Sequence, residues 1–166
     1  AGPDTIVARG YKLDMPELGE RKLSDLRIGI WRSNEGFPVA TEVEERVNLV
    51  AAALRDAGAQ INETARPAFA ADDSHKIYQH LLQATMASRM PDESYKSLVE
   101  HVKTLDANDD SDSARVFRGQ VSSFRDWAAA NEARHKLRWA WHEYFSEFDA
   151  LVMPIMPTAA FSHNHR

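Results

Sequence analysis

At 166 residues the chain has room for one domain with a genuine hydrophobic core, because folding at this length buries roughly 70% of the surface that the unfolded chain exposes. With 43% hydrophobic and 27% charged residues it falls in the soluble globular class, which excludes disordered and fibrous chains. A formal net charge of −5 repels phosphate backbones, the lack of cysteine removes disulfides and thiolate chemistry, and no apolar run approaches the ~20 residues that cross a bilayer. These features lead us to expect a cytoplasmic protein with neither a nucleic-acid nor a membrane partner.

Residues 1–23 form an irregular lead-in punctuated by Pro3, Gly10, Pro16 and Gly19. Ala1-Gly2-Pro3-Asp4 has no initiator methionine or signal-peptide pattern and reads like a cut end; residues 161–166 are an equally abrupt tail. The alternation over 26–31 predicts a strand, followed by a loop at 33–38. Thr41 with Glu44 has the spacing of a capping box, and Val43, Val47, Val50 and Leu54 make one helical stripe that Gly58 ends. A second strand is predicted at 59–64. Residues 24–66 thus read as a βαβ unit, with parallel strands and a right-handed crossover.

Residues 72–148 read as helical. Asp72, Asp73 and Ser74 offer caps to a segment with Ile77, Leu81, Ala84 and Ala87 on one face, and Pro91 lies past its end. A shorter helix is predicted from Ser94 to Leu105, with Tyr95, Leu98, Val99 and Val102 inward. An acidic break at 106–113 precedes a long helical pattern from about Arg115 to Phe148, interrupted near Gly119. Residues 149–160 then hold a third strand, at 149–154, and a Pro-rich segment marked by Pro154 and Pro157. The predicted fold is α/β: a small parallel or mixed sheet with a large helical excursion.

Several motifs fail on their chemistry. Asp106, Asn108, Asp110 and Asp112 fall in a calcium-loop frame, but Ser111 stands where the turn needs glycine and Phe117 where a glutamate should close the site. Glu132 and His135 have a di-metal helix spacing without a second copy; a metal site using Glu132, His135 and His142 is not expected, and His163-Asn164-His165 reads as a polar terminus. Arg134, Lys136 and Arg138 interleave with Trp139 and Trp141, yet alternate helical residues lie about 200° apart, so the charges spread around the helix. Leu137, Trp141, Tyr144 and Phe148 instead make a packing stripe. The serine pair Ser122-Ser123 sits in a helical stretch with no activating base, and Gly29 and Gly36 make no phosphate loop. No cofactor, metal or catalytic residue is expected within the chain.

Three stretches, in order, resemble the amidase signature family of serine hydrolases: Ala1-Gly2-Pro3-Asp4 with its Pro-containing linker; Leu26-Arg27-Ile28-Gly29-Ile30 with the helix to Ala57-Gly58-Ala59; and Phe148-Asp149-Ala150-Leu151-Val152-Met153-Pro154-Ile155-Met156-Pro157-Thr158-Ala159-Ala160, which is similar to the family's Asp-x-Leu-x-x-Pro-x-x-Pro strand. The resemblance implies a fragment of a larger amidase-like domain, whose parent hydrolyses small-molecule amides through a serine acyl-enzyme. The glycine- and serine-rich segment carrying the serine nucleophile, bridging serine and lysine base of such enzymes has no match in these residues. The resemblance therefore implies an inactive scaffold that walls part of the substrate pocket, with Trp31, Trp141, Met153 and Pro154 as pocket candidates. The alternative is a non-enzymatic α/β module binding protein through its aromatic helix. An exposed sheet edge or that helix could also drive homo-oligomerisation.

Overall fold

The computed structural model describes residues 3–15, 19–34 and 36–163; the sequence signals at Ala1, Gly2, Pro16, Asn164, His165 and Arg166 lie outside them. Three short parallel strands, β1 (Arg27–Ile30), β2 (Gln60–Asn62) and β3 (Ala150–Val152), form one sheet in the order β2-β1-β3. Helix α1 (Thr41–Asp56) joins β1 to β2, and α2 (Ala71–Ala87), α3 (Asp92–Lys103), α4 (Asp112–Gln120) and α5 (Phe124–Glu147) fill the excursion between β2 and β3. The α/β class, the parallel βαβ unit and the helical excursion match the sequence reading. Each strand is shorter than read, because only the middle residues find ladder partners.

The central strand β1 is covered on both faces, as expected where helices flank a parallel sheet. Ile28 and Ile30 pack with Val47 and Ala51 of α1 and with Ala59. Gly29 points the opposite way, onto Tyr144 of α5, since successive residues of a strand face opposite sides. A Cβ at Gly29 would lie 1.8 Å from the Tyr144 hydroxyl, so only glycine fits there. Asp149 sets the register of β3: its Oδ2 accepts the Arg27 backbone N–H at 2.8 Å and its Oδ1 accepts Arg21 Nη1 at 2.9 Å.

The helix ends depart from expectation in instructive ways. No capping box forms at α1. Ala40 is the N-cap and Thr41 is already helical; the Ala40 carbonyl accepts from Val43 and Glu44, while its own N–H donates to the Pro157 carbonyl at 2.8 Å. A tertiary bond has replaced the local one, and Glu42 and Glu44 remain to complement the helix dipole. Val50, predicted inward, is exposed; Ala51 takes its place because a small side chain lets α1 approach Ile28 and Ile30. Gly58 ends α1 at φ +93°, a left-handed conformation that glycine adopts without strain.

The caps expected at 72–74 lie inside α2, which starts on Ala70 without a side-chain cap, and Asp72 pairs with Lys76 at 2.8 Å. Helix α3 begins two residues earlier than predicted and leaves Tyr95 exposed. The long helical pattern divides into α4 and α5, but not at Gly119. That glycine is buried inside α4 against α2, where a Cβ would come 3.0 Å from the Gln83 Cβ; it serves close approach. The break falls at 121–123, where Ser123 caps α5 by accepting the Asp126 N–H and donating to the Asp126 carboxylate. Ser122-Ser123 is thus a helix corner. In the acidic break Ser111 caps α4, so Asp112 and Ser113 are helical, and Arg118 donates to the Asp106 and Asp109 carbonyls. Arginine braces the loop that resembled a cation site.

Candidate functional site

Chain leaving the carboxyl ends of β1 and β3 builds the site. The ladder runs one residue past β1, with the Trp31 N–H donating to the Val152 carbonyl at 2.9 Å, before both segments turn away. The segment after β3 is pinned by the Pro157 bond to Ala40 at the start of α1. Between the two lies an apolar cavity of about 310 Å³. All four sequence-predicted residues, Trp31, Trp141, Met153 and Pro154, line it. The sheet has the order 2-1-3, and the crevice outside the carboxyl ends of neighbouring strands is where open α/β sheets commonly hold ligands.

Aromatic packing fixes the walls. Trp141 meets Phe69 edge-on at 5.5 Å and Tyr144 edge-on at 5.8 Å, and it stacks on Phe145 at 5.6 Å. Trp31 is held by Arg66, whose guanidinium lies 5.0 Å from the indole centroid while its Nη1 donates to the carbonyls of Ile30 (3.1 Å) and Ala65 (2.7 Å). Neither Arg66 nor Phe69 belongs to any periodic pattern, so nothing in the sequence singles them out. Arg32 is the one charged residue among the described lining, and it pairs with Glu63 at 3.0 Å. Glu63 also takes Arg55 at 2.7 Å, and hydrogen bonds from Arg32 and then Arg55 hold its carboxyl below the usual glutamate value. The one charged side chain of the described lining is therefore ion-paired. Its described lining carries no carboxylate, histidine, lysine or cysteine that could activate the hydroxyls of Ser33 or Ser74.

One hydroxyl elsewhere does meet a base. His80 Nε2 lies 2.8 Å from Ser122 Oγ, a contact between α2 and the α4–α5 corner that no sequence spacing announced. Ser122 Oγ also donates to the Ser123 carbonyl at 3.2 Å. The His80 tautomer sets which of the two donates across the pair, and no set of backbone donors that would hold an oxyanion accompanies the serine among the contacts of the described residues. We read the pair as a polar tie between helices. His142 packs edge-on against Trp139, and among the described residues no group of three or more His, Asp or Glu is gathered to hold a metal ion. No helix among the described residues is long and apolar enough to cross a membrane.

A comparison with protein families matches the Amidase family model over residues 7–166. No match was found among curated proteins or among solved structures. The matched span contains the whole sheet, the Asp149–Pro157 segment and every wall of the cavity, and the chain belongs to the amidase family.

Proposed function

We propose that this chain is the part of an amidase that walls the substrate pocket, the complete enzyme hydrolysing carboxylic amide C–N bonds through a serine acyl-enzyme. Trp31, Trp141, Met153 and Pro154 would hold the apolar part of the amide and exclude water from it. Binding energy from such walls orients the carbonyl, and a dry site strengthens the electrostatics of the attack. The convergence of Trp31, Trp141, Met153 and Pro154 on one apolar cavity at the strand ends carries this reading. The nucleophile and base would come from a glycine- and serine-rich segment outside these 166 residues, so the chain alone turns over no amide.

Surface area supports the fragment reading independently. The chain exposes 13160 Å², against about 8300 Å² for a compact monomer of 18.7 kDa. The test is to assay the purified chain on simple amides and esters while following binding of a neutral apolar amide by tryptophan fluorescence. We expect no turnover, and amide binding that Trp141→Ala weakens by about tenfold, the loss of one well-packed wall. Stoichiometric labelling by a fluorophosphonate probe would overturn the scaffold reading, and binding indifferent to Trp141 would overturn the pocket.

A further inference from the structure

A second groove, of about 440 Å³, runs between α2 and α5. Ile77 and Leu81 of α2 face Leu137 and Trp141 of α5 across it, all only half-buried, and Arg134 and Arg138 stand exposed at its rim. Ser74 and Trp141 line both this groove and the strand-end cavity, so the two adjoin. Trp141 and Arg134 are seven residues apart on one helix, about 10 Å along its axis.

The arginines call for an explanation. At a spacing of i, i+4 their like charges repel and weaken the helix. Neither has a carboxylate partner among the described residues: Arg134 donates only to Asn131 Oδ1, at 2.8 and 3.2 Å, and Arg138 enters no ion pair. Two guanidinium groups without carboxylate partners at the rim of an apolar trough match a ligand with an apolar body and an anionic end. We propose that the groove takes an amphiphilic carboxylate, its alkyl or arylalkyl chain lying against Leu81 and Leu137 and its acid between Arg134 and Arg138. Resting on the pocket reading above, this makes the preferred amide one whose apolar arm ends in a carboxylate about 7 Å from Trp141 along the helix axis.

The experiment is a calorimetric titration of the whole chain with octanoate, octanamide and octylamine at low ionic strength. Octanoate is expected to bind about tenfold tighter than octanamide, as one charge-assisted contact requires, with octylamine weakest and the preference fading as salt is added. The double substitution Arg134→Gln, Arg138→Gln should bring the octanoate-to-octanamide ratio to about one while octanamide binding stays as it was. Equal affinity for the three probes, or an octanoate preference that survives the double substitution, would overturn the proposal. So would absence of octanoate binding together with a dimer that Leu137→Glu disperses, which would make a second copy the occupant. If Trp31→Ala leaves octanamide binding untouched while the arginine-dependent preference persists, the strand-end pocket fails and the groove stands.

Discussion

Gly29 and Tyr144 illustrate how one residue decides whether the layers close. The tyrosine is buried against the central strand, its hydroxyl finds no partner among the described residues, and burial pushes its ionisation upward. An unsatisfied buried hydroxyl costs about 1–3 kcal/mol. Tyr144→Phe should therefore raise stability by about 1 kcal/mol in urea unfolding, at the low end of that range. Gly29→Ala should lower it by about 3 kcal/mol, because the new methyl meets the end of a rigid ring. In the double variant the nearest atom becomes the ring carbon, at 3.1 Å, and more than half of the loss should return. Equal losses with and without the hydroxyl would sink this account.

At the scale of elements, Asp149 is the clearest case of a side chain that sets strand register. The Arg27 N–H first, and the Arg21 guanidinium after it, hold its carboxyl below the usual aspartate value. A carboxyl depressed in the folded state stabilises fully above its unfolded value of about 3.9 and loses that contribution as the pH falls through the folded one. Asp149→Asn should thus unfold at lower urea than the parent at pH 7, with the gap narrowing as the pH falls below the unfolded aspartate value of about 3.9 and through the folded one. A gap constant across that range would mean that the carboxylate charge contributes nothing. The strand itself was legible from its apolar run and its prolines, but the reason for Asp149 was not, since its partner lies 122 positions away. The helix caps failed for a related reason: Thr41 and Asp72 satisfy local rules that a tertiary hydrogen bond or an earlier helix start made unnecessary.

For the whole molecule, the excess surface and two sheet edges, β2 and β3, point to association. Leu13, Ile155 and Phe161 are each more than four-fifths exposed. The isolated chain should bind a hydrophobic dye such as ANS in its native state and sediment with a concentration-dependent mass. A monodisperse monomer with no dye binding would contradict both expectations and weaken the fragment reading.

Composition, periodicity and punctuation determined the α/β class, the βαβ unit and the helical excursion, because apolar spacing records which face of each element is buried; the family resemblance came separately, from the motifs at 26–59 and 148–160. They also located four residues that meet in one cavity, since those residues sit at the ends of recognisable elements. Only the tertiary structure decided that Gly119 packs rather than breaks, that Arg66 braces Trp31, and that Arg134 and Arg138 crown one groove despite sharing their helix with a differently directed Lys136. Those outcomes depend on which distant surfaces come together, and a one-dimensional pattern carries the direction of a side chain but not the identity of what it meets.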